Sequence, residues 1–387
     1  MSKTAGANVR RGAAFVLMSL LTLPLASCSS GDDTAKASAT DNVAVAAKER
    51  VASFLKPVEN IKLDMPALSK APDLQGKKVL VVPVASSIFS TYVDGVTDAL
   101  KRVGAVPQVC DGQLSPSTAT TCFNQAKSIG AAGVISIGNN YQLMPNAFDD
   151  LAAAKIPVMA ATTSPDGKEP TDYLAFQPVV DSQTAAMTAA QDYILSKAGS
   201  HANILMLGIS DVPVQLKLAQ AGKKYLQEKC PGCTIDLKNV ASTQTDQVAS
   251  LVSSAVLKNP GLNWIYPVNV EVSGPQVNTG LQSAGKISAV SQGGTGSGLG
   301  GAQLVEKKQA MFTAQTSVNV LAWNAVDGLL RLLDHQPVPD KYPYAVRVVD
   351  ASNIGSLTLD AKSATGFDWF GEPTYQDEYL KLWHVAE

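Results

Sequence analysis

The sequence predicts an α/β protein of two doubly wound parallel-sheet lobes, and three observations carry the prediction. Nearly continuous apolar runs of strand length recur, such as Lys78-Val-Leu-Val-Val-Pro-Val84. A strand apolar on both sides belongs in a sheet covered on both faces. Between these runs lie segments of helical period, about ten to fourteen residues long. The alternation then restarts near Asp181, giving too many strands for one tidy sheet.

In chain order, the paired Arg10 and Arg11 precede an apolar run from Ala13 to Leu25 that ends at small residues. The run is short for a membrane span and reads as an export signal, residues 1–27. Leu25-Ala-Ser-Cys28 resembles the lipobox of bacterial lipoproteins, whose new N-terminal cysteine is acylated. The resemblance implies that Cys28 is a lipid anchor and that the chain sits on the outer face of the cell membrane. Residues 28–75 form a tether and lead-in. Ser29 to Thr40 is small, polar and acidic, a flexible tether. Val43 to Leu55 is a short helix, and Lys56 to Gln75 is irregular and proline-rich.

The first array runs as strand Lys78–Val84, helix Ser90–Val103, strand Val106–Cys110, helix Ser117–Ile129, strand Gly133–Ile137, helix Met144–Lys155 and strand Pro157–Ala160. The second runs as helix Asp181–Ala198, strand Asn203–Gly208, helix Val214–Glu228, strand Thr234–Val240, helix Thr245–Asn259, strand Trp264–Tyr266 and helix Ser273–Ala284. Strands Ile287–Val290 and Ala310–Ala314 follow. Trp264 and Trp323 lie in apolar runs and read as core. A final helix, Tyr375–Val385, preceded by Phe367, Trp369 and Phe370, is expected to pack back on the second lobe.

Composition removes several functions. The 31 basic and 33 acidic residues show no basic stripe, so nucleic acid has no electrostatic footprint to meet. Once Cys28 is set aside, Cys110 and Cys122, and Cys230 and Cys233, remain as two close pairs, as suits an oxidising compartment. Cys230-Pro-Gly-Cys233 has thioredoxin-type spacing. It follows a helix and precedes a strand, whereas redox chemistry wants its first thiol at a helix N-terminus. Structural disulfides are the better reading of both pairs. The three histidines are isolated, so no metal site is expected. There is no Gly-x-Ser-x-Gly elbow, no strand-end histidine to act as base and no paired carboxylate in the strand-end loops, so no catalytic residue is assigned. Gly296-Ser-Gly298-Leu-Gly-Gly301 fits a dinucleotide fingerprint. The next strand ends Thr313-Ala-Gln315 without the required acid. The stretch reads as a mobile rim loop, and no cofactor is expected.

Doubly wound lobes bind ligands beyond the carboxyl ends of their strands. At those loops, over roughly residues 77–350, the chain resembles the type I periplasmic binding proteins of the ribose-binding-like group. Ile88-Phe89 and Asp94-Gly95 after the first strand, Gly133-Val-Ile-Ser-Ile-Gly-Asn139, Ala154-Lys-Ile-Pro-Val158, Phe312-Thr-Ala-Gln315 and Gln336-Pro-Val-Pro339 carry the likeness through their order and spacing. The resemblance implies three chain crossings, near Val180, Gln315 and Val346. These divide the protein into an N-terminal lobe (76–180 with 316–345) and a C-terminal lobe (181–315 with 346–387). The sugar binders' Asp-Arg pair is replaced by Ala161-Thr162-Thr163, their arginine by Ser210-Asp211, and a further acid by Gln292-Gly-Gly.

The ligand-binding set inferred is therefore nearly uncharged: Ser86, Phe89, Asn139, Thr162, Asp211, Asn269, Gln292 and Gln315. Each also has a plainer reading: Phe89 as core, Asn139 and Asp211 as helix caps, Gln315 as a hinge support. The resemblance implies a solute-binding lipoprotein, not an enzyme. Such a protein captures a small neutral solute, a sugar or polyol, and delivers it to the permease of an ABC transporter. A sensory or scaffold lipoprotein of the same fold is the alternative.

Overall fold

In the computed structural model, described over residues 32–385 apart from 164 and 166, the apolar runs become the strands of two separate sheets. The expected export signal and Cys28 lie outside the described residues. The elements are α1 (Asp32–Ala52), β1 (Lys78–Pro83), α2 (Ser86–Arg102), β2 (Val106–Val109), α3 (Pro116–Ser128), β3 (Gly133–Ile137), α4 (Pro145–Ala153), β4 (Val158–Ala161), β5 (Leu174–Phe176), α5 (Val180–Ala198), β6 (Asn203–Ile209) and α6 (Pro213–Lys229). They continue with β7 (Thr234–Val240), α7 (Gln247–Lys258), β8 (Trp264–Pro267), α8 (Val270–Ser283), β9 (Ser291–Gly296), α9 (Leu299–Glu306), β10 (Phe312–Thr316), α10 (Val318–Leu333), β11 (Val346–Asp350), α11 (Ala361–Thr365) and α12 (Tyr375–Leu382).

The first sheet has the order β2-β1-β3-β4-β5 and is parallel throughout. The second has the order β11-β10-β9-β8-β6-β7, parallel except for β11. Both are covered on both faces, which is why strands such as β1 and β6 are apolar over most of their length rather than at alternate positions. In β1, Val79 and Val81 pack with residues of α2 and α10, while Leu80 and Val82 pack with Phe123 of α3 and Phe148 of α4. In β6, Ile204 and Met206 join α5 and α6, while Leu205 and Leu207 join Val252 of α7 and Val277 of α8. Each such side chain contributes about 1.5–3 kcal/mol by leaving water. Trp264 and Trp323 are core residues, 4% and 0% exposed.

The chain passes between the lobes after β5, at Ser317 between β10 and α10, and along residues 334–345 between α10 and β11. Gln177 fixes the first passage. It accepts from the Tyr92 hydroxyl of α2 (2.6 Å) and its amide donates to the Leu321 carbonyl of α10 (2.6 Å). Two further passages lie at the ends of the chain. Ala47 and Val51 of α1 belong to the second lobe's core, whereas Ile61, Leu68 and Leu74 of the lead-in belong to the first lobe's. The tail likewise passes from the second lobe to the first.

Several expectations give way. The tether is helical from Asp32 onward, continuous with the predicted short helix. β5, which is only three residues long, carried no separate signal. The strand expected at Ile287–Val290 lies at Ser291–Gly296, and the one at Ala310–Ala314 lies at Phe312–Thr316. β-branched propensity favoured Ile287 and Val290, but tertiary packing recruits the glycines. A Cβ on Gly294 would stand 2.0 Å from the Pro267 carbonyl oxygen, and one on Gly293 would stand 2.4 Å from the Phe312 ring. The supposed rim loop Gly296–Gly301 is therefore the end of β9, a two-residue turn and the start of α9.

The last helix also differs. α11 lies beside α9 of the second lobe, but α12 packs on α10 of the first. Trp383 stacks on Trp323 at 5.4 Å and donates to Asp327 (2.8 Å). Asp327 is fully buried. It also accepts from Arg331 (2.6 Å) and Tyr342 (2.7 Å), and Arg331 in turn donates to the Pro66 carbonyl (2.8 Å). A buried ion pair holds only when its remaining hydrogen bonds are made, and the lead-in and tail supply them.

Candidate functional site

The carboxyl ends of both sheets lie toward the crossings, so the strand-end loops of the two lobes define the candidate cleft. An 810 Å³ cavity, lined by residues such as Pro170, Phe176, Pro178, His335 and Pro339, lies beside β5 and two of the crossings and holds none of the eight predicted residues. The cleft is the better candidate because the strand ends and their constrained side chains converge there.

In the first lobe, Ser86 opens α2, and its N–H donates to Asp111 (3.1 Å), as does that of Gln113 (2.9 Å). These two N–H groups, Gln113 first, hold the Asp111 carboxyl below the ordinary aspartate range. The adjoining Cys110–Cys122 disulfide is formed. Phe89 is half-buried at a non-helical kink within α2 (φ −107°, ψ 21°). Its ring lies against Gly138, where a Cβ would come within 3.0 Å. Asn139 is 3% exposed and donates to the Val82 carbonyl (2.8 Å) and Ser136 Oγ (3.1 Å), bracing the ends of β1 and β3. Asn140 takes the capping position, accepting from the Gln142 N–H (2.7 Å).

Thr162, just beyond β4, is held at φ +55°. For a β-branched residue that conformation is strained. Its hydroxyl is buried without a hydrogen-bond partner among the described residues.

In the second lobe, Asp211 accepts from Ser242 twice, at the side chain (2.6 Å) and the backbone (2.9 Å). Ser242 thereby holds the Asp211 carboxyl below its ordinary range. The bond ties the ends of β6 and β7 together and leaves α6 without a side-chain cap, which corrects the capping role expected of Asp211. Asn269 caps α8, accepting from Glu271 (3.0 Å) and Val272 (3.1 Å). Gln315 is 1% exposed near the end of β10 and donates to Thr313 Oγ1 (3.1 Å). Gln292 sits at the start of β9, the end remote from the cleft, and donates to the Gly274 (3.1 Å) and Gln309 (2.7 Å) carbonyls. The four-residue displacement of β9 removes it from the predicted set.

Seven of the eight predicted residues thus lie at the cleft ends of strands, four in the first lobe and three in the second. Asp111, Ser242 and Glu271 were missed. Glu271 reads in sequence as an ordinary first-turn acid. The signal that could have found it was the glycine fingerprint without its expected acid. The Cys230–Cys233 disulfide, at the end of α6, is far in the fold from these loops. Among the described residues no group of histidine, cysteine and acidic side chains is arranged to hold a metal, and no helix is long and apolar enough to cross a membrane.

A family model described as a periplasmic binding protein domain matches residues 78–337. Comparison with curated protein sequences returns no match. Among solved structures, an ABC sugar transporter subunit from Rhodobacter sphaeroides is 17% identical with a TM-score of 0.58, over 73% of this chain and 100% of that one. An ABC transporter solute binding protein from Bacillus halodurans with bound myo-inositol is 15% identical with a TM-score of 0.58, over 73% and 98%. A 5-methylthioribose transporter solute binding protein from Thermotoga lettingae is 10% identical with a TM-score of 0.62, over 82% and 100%.

Proposed function

The chain belongs to the periplasmic binding protein domain family, and we propose on that premise that it is an extracytoplasmic receptor for a small neutral polyhydroxy solute. It captures a sugar or polyol between its lobes and delivers it to the permease of an ABC importer. The observation that carries this is Thr162, a strained residue with an unpartnered buried hydroxyl at a strand end. Backbone strain of this kind persists at ligand clamps, and an orphaned hydroxyl is completed by a polar solute. The Phe89 ring in the same lobe offers an apolar face to a sugar ring. Solute binding favours a closed form only through contacts from both lobes, and Asn269 with the end of β10 supplies the second side. The myo-inositol and 5-methylthioribose held by structural relatives support the solute class. Acylation of Cys28 would anchor the receptor beside its permease, which lipid labelling lost on Cys28→Ala would reveal.

A thermal-shift screen of the full exported chain against sugars, polyols, amino acids and nucleosides tests the reading. A specific neutral polyhydroxy solute at a hundred times its Kd is expected to stabilise the fold by about 2.7 kcal/mol. A response to amino acids alone overturns the solute class, and silence across the panel favours a sensor or scaffold.

A further inference from the structure

The glycine fingerprint between β9 and α9 wraps around a carboxylate of the chain itself. Glu271, in the first turn of α8, reaches across so that its Oε1 accepts from the backbone N–H groups of Gly298 (2.8 Å), Ser297 (3.3 Å) and Gly301 (3.4 Å). The glycines permit this approach. A Cβ on Gly296 would stand 3.1 Å from Oε1 and 2.9 Å from Gln315 Nε2, and one on Gly301 would stand 2.9 Å from that same nitrogen. The backbone donors that a dinucleotide phosphate would use are therefore already engaged. Glu271 Oε2 has no hydrogen-bond partner among the described residues. Asp211, the acid beyond β6, has both oxygens bonded to Ser242.

Resting on the solute reading above, we propose that Glu271 is a solute-contacting residue of the second lobe that selects hydroxyl-rich neutral solutes over anionic ones. One oxygen is anchored by three amides at the start of α9, whose dipole offsets the charge. The other oxygen is fixed in place with open lone pairs. Hydroxyl donors to a carboxylate make the shorter, stronger class of hydrogen bond. A phosphorylated or carboxylated solute instead meets a like charge at a cleft wall whose N–H groups are taken.

The test compares wild type, Glu271→Gln and Glu271→Asp by calorimetry and thermal shift. The neutral probes are myo-inositol, D-allose and allitol, and the anionic ones are myo-inositol 1-phosphate and inorganic phosphate. Wild type is expected to bind a neutral probe and to give no saturable response to either phosphate. In Glu271→Gln an amide oxygen still accepts from the three N–H groups, so the fold is kept. Its affinity for the neutral probe should fall about tenfold, and the ratio of neutral to phosphorylated affinity should narrow about tenfold. A purely structural cap would not move that ratio. Should Glu271→Gln not fold, Glu271→Asp withdraws the charge by one methylene and is expected to lose neutral affinity while still excluding phosphate.

Unchanged affinity and ratio in the folded variant overturn the proposal alone, as does wild-type binding of the phosphorylated probe as tightly as its neutral parent. Silence of wild type to every neutral probe overturns the solute reading and this inference with it.

Discussion

At Thr162 the backbone conformation and the side-chain chemistry conflict with stability in the same place. A left-handed φ costs a β-branched residue about 1–3 kcal/mol, and its buried hydroxyl lacks a partner. Thr162→Gly is expected to raise unfolding stability by about 1 kcal/mol, less than the full strain because glycine gains freedom in the unfolded chain. The same change should weaken solute binding. Denaturant unfolding and calorimetry on one sample check both signs, and a loss of stability would show that the φ is well tolerated. Residues of this kind were visible in the sequence as strand-end positions. Their roles were not, because Asn139 and Asn269 have the same composition yet one braces strands and the other caps a helix.

At the scale of elements, the strands built from valine and isoleucine were legible because coverage on both faces leaves a continuous apolar run. β9 was not. Its sequence Ser291-Gln-Gly-Gly-Thr-Gly296 has no apolar side chain to read, and its place in the sheet is dictated by neighbours that leave no room. Gly294→Ala is expected to destabilise by about 1–3 kcal/mol or more, since the clash is with the backbone oxygen of Pro267 rather than with a side chain that can rotate. A lowered urea midpoint, with amide protection lost first in β8 and β9, would confirm it. An unchanged midpoint would mean that the sheet yields locally. The same displacement explains why Gln292 was assigned to the cleft and why the fingerprint was read as a loop.

For the whole molecule, the two-lobe plan followed from the repeated alternation, but the fate of the chain's ends did not. The lead-in and tail meet through Val58 N–H to Phe370 carbonyl (2.6 Å) and Asn353 to the Leu55 carbonyl (3.1 Å), outside the span of the matching family model. No periodicity announces that Trp383 will stack on Trp323, because the partner surface exists only once α10 is folded. Trp383→Ala is expected to cost about 3–5 kcal/mol, by cavity formation and the loss of a donor to Asp327. Hydrogen exchange should show α10 and residues 56–76 loosened, with α5 and α6 unaffected. A uniform loss across both lobes would instead mean that the lobes unfold as one cooperative unit.

The course of the backbone also bears on how the protein comes into being. The first lobe opens with β1, yet its helical layer is finished only by α10 and then α12. Between them the ribosome makes nearly all of the second lobe. The half synthesised first is therefore the half completed last, and Asp327 waits for the tail before its last hydrogen bond, from Trp383, closes. Domain-by-domain folding from the N-terminus is not open to this chain. An incomplete first lobe persists until synthesis ends, a state well suited to a polypeptide that must stay threadable until it has crossed a membrane.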